Sequence, residues 1–368
     1  MSSIKSAKGF DPDYAVAPGE VLGEYLEYSG ITQAALAART GLAPKTINEI
    51  VKAKASITAE TALRFERTLG RPAHFWGNLE RRYREDVARL ADRMRLERHL
   101  PWLERFPVNE MAKLGWIEKS KNPMFLLDAL LRFFGVSSPE TWETVWKSKL
   151  RLADFRKTER NAENPALISA WLRRGEILAK DIPYSAFDKR KFGESLPEIR
   201  KLTTVESPEA FVPRLKAVCA AAGVTVVFVD TLPGLGIYGV SPHYGDRYVM
   251  QLSSYRKSHD QLWFTFFHEA CHILFHPRKE LHFGAGHTES QKAREAEADS
   301  FARDRLIPPV ELRHFLRTSP FPKLDEIARF ADRIGTAPGI VVGRLQHDKR
   351  LSMKVGHHLK APFRWDRA

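Results

Sequence analysis

Cysteine is almost absent. Cys219 and Cys271 are the only two in 368 residues, and they lie far apart. They provide no disulfide framework, and such sparse use fits a reducing, cytoplasmic setting. Long apolar runs are missing too. The richest, around Leu262–Phe275, is interrupted by His and Glu, so no transmembrane helix is expected. The opening stretch MSSIKSAKGFDPDYAVAPGE has no apolar core of the kind a signal peptide needs. No internal repeat is visible. Charge of one sign is not segregated either. The formal net charge of +13 is spread along the chain, so it permits contact with nucleic acid without marking one segment as the binder. What is present is ordinary for a folded chain, with 43% apolar and 28% charged residues. The length predicts two or three domains.

The order of local signals predicts a mainly α protein with a small α+β C-terminal domain. Residues 1–17 read as a flexible leader. Helices are expected from Pro18 to the Gly30 stop, from a Thr32 cap to Gly41, over Pro44–Lys52, from Thr58 to Gly70, and from Pro72 to just before Pro101. Residues 18–84 form the expected DNA-binding domain. Residues 85–204 are read as a helical connector whose Trp and Phe residues fall at helical spacing, as in FLLDALLRFFG and TWETVWKSKLRLADF, and make a core. The texture changes after residue 205. A helix leads into TVVFVD, then GIYGVS and RYVMQLS, which read as short strands, and helices follow to about residue 350. Residues 351–368 form a basic tail.

Chemistry concentrates in WFTFFHEACHILFH, residues 263–276. A buried helix avoids ionisable groups unless they have a partner. His268 and His272 are four apart and share one helix face, so both imidazoles can reach one ion. Glu269, turned about 100° away, can stand beside a water on that ion and serve as base. A catalytic Zn2+ site needs a third protein ligand and an open position. REAEADSFA offers Glu295, with Asp299 four residues on to orient a ligand histidine. Glu297 competes for the ligand role but lies about 200° around the helix from Glu295. His276 extends the His268–His272 row but falls about 12 Å from His268 along a straight helix, so it suits the cleft or the helix end. His282 and His287 fall in a loop. Tyr255, His259 and His243 are weak candidates for stabilising an oxyanion. A structural metal site is the duller alternative, but such sites usually close with four Cys or His ligands, and cysteine is scarce here. A His₂Glu set does not separate zinc from manganese or iron, and zinc is the default.

WFTFFHEACHILFH followed by REAEADSFARDRLIPP, with the late GIVVGRLQHDKRL, resembles the ImmA/IrrE family of metallo-endopeptidases over roughly residues 205–350. The resemblance implies a zincin-like peptidase acting on helix-turn-helix repressors. It assigns His268, His272 and Glu295 as ligands and Glu269 as base. Asp299 stands where relatives often carry Asn.

ITQAALAARTGLAPKTINEIVKAKASITAETALRFERTLG has the rhythm of a helix-turn-helix. Ala34, Ala35 and Ala38 are expected to form a thin face against a second helix. The helix over Pro44–Lys52 would enter the major groove, with Lys45, Thr46, Asn48 and Glu49 near base edges. Gln33, Lys52 and Lys54 suit phosphates. The wider stretch from Ala17 to Tyr83 resembles the Cro/cI-type domain of HigA-like antitoxins. That resemblance implies a homodimer on operator-like DNA. The expected whole is a DNA-binding regulator with a zinc endopeptidase domain that cuts a repressor or antitoxin. The rivals are an antitoxin-like transcription factor whose peptidase-like domain senses a ligand or partner without proteolysis, and a degradative peptidase with an accessory N-terminal bundle.

Overall fold

The computed structural model describes residues 14–151, 156–157, 164–244, 247–253, 258–276 and 289–362. The chain divides into two compact units, Met1–Leu100 and Pro101–Ala368.

The first unit contains α1 (Pro18–Tyr28), α2 (Gln33–Thr40), α3 (Pro44–Val51), α4 (Ala59–Leu69) and α5 (Ala73–Glu97). Their ends follow local chemistry. Thr32 and Thr58 hydroxyls accept backbone N–H groups to start α2 and α4, and Gly41 and Gly70 end them in the left-handed conformation. The core gathers Leu22, Leu36, Ile47, Ile50, Phe65 and Trp76. Trp76 receives Tyr25, Phe65 and Phe75 edge-on. The α1–α3 crossing is so close that a Cβ on Gly19 would lie 1.9 Å from the Ile50 carbonyl oxygen. The α2 side chains that pack inward are Leu36, Ala37 and Thr40. Ala34 and Ala38 are exposed, so the expected thin alanine face is not the packed one. Helix α5 passes residue 84 without a break, so the expected boundary there falls inside a helix.

The second unit opens with α6 (Val108–Lys113), α7 (Pro123–Phe134), α8 (Pro139–Arg151), β1 (Arg156–Lys157), α9 (Pro165–Lys180) and α10 (Lys189–Lys201). It continues with α11 (Pro208–Ala221), β2 (Val224–Val229), β3 (Ile237–Val240), β4 (His243–Tyr244), β5 (Arg247–Ser253), α12 (His259–Phe275) and α13 (Glu289–Leu306). It closes with α14 (Pro309–Thr318), α15 (Leu324–Ile334) and α16 (Pro338–His347). The aromatic residues of 101–151 do form a core. Trp102 meets Phe106 at 4.8 Å and Trp142 at 5.7 Å between ring centres.

The sheet runs β1-β3-β5-β2, with β4 also on β5. β2 and β5 are parallel, from Val224 opposite Tyr248 to Val229 opposite Ser253. β3 is antiparallel to β5, and β4 takes over the same edge as a short hairpin. Side chains alternate between the two faces. Met250 and Leu252 enter the core with Trp263, Phe266 and Phe267 of α12 and Phe211 of α11. Gln251 points the other way, where its amide donates to the Trp171 carbonyl of α9 at 2.7 Å. Trp171 in turn donates to the Val229 carbonyl. Helix α9 therefore covers the second face of the sheet. Residue 204 is thus no gap between a connector and a C-terminal domain, because 165–180 belong to the same packed layers as the strands.

Candidate functional site

Helix α12 lies beneath the sheet and is buried on nearly every side. Such a helix must give each polar group on it a partner. His268 is 1% exposed and Glu269 2%. Helix α13 packs beside α12 and supplies the partners.

His268 Nε2 lies 3.1 Å from His272 Nε2 and 3.3 Å from Glu295 Oε2. His272 Nε2 lies 3.4 Å from Glu295 Oε1. His268, His272 and Glu295 are thus brought together as a group able to hold one metal ion. A tetrahedral zinc with bonds of about 2.0–2.1 Å sets its ligand atoms about 3.3 Å apart. The triangle fits that size.

The outer contacts fix which nitrogens face inward. His268 Nδ1 is 2.9 Å from Asp299 Oδ1. A carboxylate can only accept, so Nδ1 carries the proton and Nε2 presents a lone pair. His272 Nδ1 is 2.7 Å from His276 Nδ1, and His276 Nε2 is 3.2 Å from Glu297 Oε2. Glu297 accepts from His276 Nε2–H, His276 Nδ1 then accepts from His272 Nδ1–H, and His272 Nε2 is left with a lone pair. Two lone pairs and a carboxylate converge within 3.4 Å, an arrangement that a cation relieves. Burial, reinforced by neighbouring His268, pushes the His272 imidazole down to about 3, which keeps it in the neutral, ligating form. Burial opposes ionisation of Glu295. The adjoining His268 and His272 rings outweigh it and hold the carboxyl below its ordinary range.

The rivals for the third position separate cleanly. Glu297 is occupied by His276 rather than turned to the triangle. His276 caps the end of α12. Glu269 faces the sheet, where Ser241, just past β3, donates to its Oε2 at 2.8 Å. Strand β3 runs so close that a Cβ on Gly239 would lie 2.6 Å from Thr265 Cγ2 and 3.2 Å from Glu269 Cγ. Ser241, Gly239 and the His276–Glu297 relay carry no local spacing signal, because each depends on a contact between distant segments. Of the oxyanion candidates, His259 is a packing residue. It accepts from the Trp263 indole at 2.9 Å and meets the Phe211 ring, nine positions or about 13 Å along the helix from His268. His243 stands on β4 against Tyr248. Tyr255, His282 and His287 lie outside the described residues.

In the first unit, Ile47 and Ile50 turn α3 inward, while Lys45 is exposed and Thr46, Asn48 and Glu49 are half-exposed on the other side. Lys45 reaches Glu49 at 3.9 Å. Gln33 at the start of α2 and Lys52 and Lys54 after α3 are exposed.

Residues 22–76 match the helix-turn-helix family model, and residues 219–345 match that of the IrrE N-terminal-like domain. Virulence-associated protein I of Dichelobacter nodosus is 43% identical over 82 residues, which span 22% of this chain and 74% of that protein. Two solved structures are similar over a comparable share of this chain. One is a HigA-family addiction module antidote protein of Coxiella burnetii (29% identity, TM-score 0.22, covering 23% of this chain and 92% of that one). The other is Pseudomonas aeruginosa antitoxin HigA with the higBA promoter (34%, 0.22, 23% and 94%). Among the described residues, no helix is long and apolar enough to cross a membrane. With both matches falling on the residues just described, the chain carries an XRE-type helix-turn-helix region over residues 22–76 and an IrrE N-terminal-like domain of the ImmA/IrrE type over residues 219–345.

Proposed function

We propose that the protein is a cytoplasmic, DNA-bound regulator that hydrolyses a peptide bond in a protein partner, a helix-turn-helix repressor or an antitoxin. The observation that carries the reading is the 3.1–3.4 Å triangle of His268, His272 and Glu295, with both imidazole lone pairs turned inward by partners of their own.

His268, His272 and Glu295 would hold a zinc ion, which when bound polarises a carbonyl and lowers the pKa of a water to about 7. Asp299 and the His276–Glu297 pair keep the two ligand rings in orientation and tautomer. Glu269 takes a proton from the attacking water and delivers it to the leaving amine. Ser241 keeps that carboxylate from swinging among the metal ligands.

Residues 18–84 would supply the address. Helix α3 enters the major groove, where Asn48 pairs with adenine, Glu49 accepts from cytosine, and Lys45 and Thr46 complete the contact. Gln33, Lys52 and Lys54 lie along the backbone. A homodimer on a two-fold site suits this geometry. Residues 205–350 carry the hydrolytic site. Incubating the zinc-loaded protein with candidate helix-turn-helix proteins, with and without a chelator, tests the reading. Cleavage should require metal and vanish in Glu269→Gln, while zinc and DNA binding persist. Cleavage by the variant at the wild-type rate would remove Glu269 from the mechanism.

A further inference from the structure

A cavity of about 300 Å³ opens between α12, α13 and α16. None of His268, His272, Glu269 or Glu295 lines it. It meets the metal centre only through Asp299, which stands on the far side of the His268 ring from the converging Nε2 atoms. It is therefore not the catalytic cleft. Its volume is at the lower end for small-molecule sites, roughly 300–1,000 Å³.

The lining has two characters. Phe264, Leu306, Ile307, Ile340 and Met353 make an apolar wall. The charged groups are unevenly matched. Lys360 is paired with Asp260 at 3.0 Å, Arg344 with Asp348 at 2.7 Å, and Asp299 with His268. Arg303 forms no ion pair among the described residues and reaches only the Ser300 hydroxyl, at 3.4 Å. Each acid at this wall has a basic partner, although Asp260 Oδ1 is itself buried without a hydrogen bond among the described residues, and one guanidinium is left over. Arg344 Nη1, buried at the same wall, has no hydrogen-bond partner among the described residues. Two guanidinium groups with donors to spare, beside an apolar wall, match a single anionic head on an apolar body.

We propose that this cavity is an effector site for a small monoanionic amphiphile, such as a medium-chain carboxylate, with its head on Arg303 and Arg344 and its body along Phe264, Leu306 and Ile340. The shared Asp299 couples occupancy to the metal centre, because the carboxylate that orients His268 also forms the wall a ligand would touch. Only this coupling rests on the metal-site reading. Binding does not, so the two can fail separately.

The test uses the full chain and sodium octanoate, with 1-octanol and sodium acetate as single-feature controls. Titration calorimetry in chelator should give saturable octanoate binding at least tenfold tighter than either control. Arg303→Met, which keeps the apolar stem and breaks no ion pair, should weaken octanoate at least tenfold and leave octanol unchanged. Arg303→Lys should recover part of the loss. In zinc-loaded protein, octanoate should change the zinc release rate at least threefold. Absence of saturable octanoate binding, or equal binding by wild type and Arg303→Met, overturns the site. Unchanged zinc release overturns its effector role.

Discussion

Gly239→Ala tests how the site is built. The added Cβ would lie 2.6 Å from Thr265 Cγ2 and 3.2 Å from Glu269 Cγ. Carbon atoms in contact prefer about 3.5–4.0 Å, so strand β3 and helix α12 must part by about 1 Å. Overpacking of this kind costs about 1–3 kcal/mol, equivalent to a fall of a few degrees to about 10 °C in Tm for a unit of this size. The same displacement carries Glu269 with it, and a shift of 1 Å at a reacting group can cost about a hundredfold in rate. The clash has a specific cure. Thr265→Ser deletes Cγ2 and keeps the hydroxyl that donates to the Gln261 carbonyl at 2.8 Å. Thermal melts of the two single variants and the double should give a favourable coupling of about 1 kcal/mol or more, with peptidase activity partly restored in the double. Additive effects, or a Gly239→Ala protein as stable as wild type, would refute the claim that β3 is pressed against the helix at Glu269.

Two further outcomes follow from other parts of the molecule. Burial pushes the His259 imidazole down to about 4, against an opposing influence of Asp260, from an ordinary value of 6.5. The unfolded chain therefore binds the proton first as pH falls, so the contribution is complete above about pH 6.5 and is lost between there and about pH 4. The slope is about 1.4 kcal/mol per pH unit, up to about 3 kcal/mol in all. His259→Gln should flatten the pH dependence of stability in that window, and an unchanged profile would show that His259 does not titrate there. In the N-terminal unit, Lys52→Ala should weaken operator and non-operator DNA alike and reduce the slope of log affinity against log salt by about 1, whereas selective loss of operator binding would move Lys52 from phosphate to base contact.

How far the molecule can be read from its sequence depends on the range of the interaction. Helix starts and stops are written locally, in Thr32, Thr58, Gly41 and Gly70, and these helices lie where expected. The His268–His272 pair and the Glu295–Asp299 pair each share a helix face, so periodicity alone aligns them. That the two helices meet is a tertiary fact which spacing cannot express. The same limit hid Ser241, the Gly239 approach and the His276–Glu297 relay. It also hid the role of α9: its Trp and Leu pattern marks a buried face, but nothing local says that the burial is against the sheet. The inward set of α2 differs from the expected alanine face for a similar reason. Small residues permit close packing on any face, and the partner helices selected Leu36, Ala37 and Thr40.

The most direct measurement of the central claim is zinc content after exhaustive dialysis, by elemental analysis, for wild type, Glu295→Ala and Glu297→Ala. One equivalent per chain is expected for wild type. Glu295→Ala should lose it, while Glu297→Ala, which breaks only the relay through His276, should retain the ion with about 10–100-fold weaker affinity. A wild-type protein that holds no zinc, or a Glu295→Ala protein that holds it as tightly as wild type, would contradict the account.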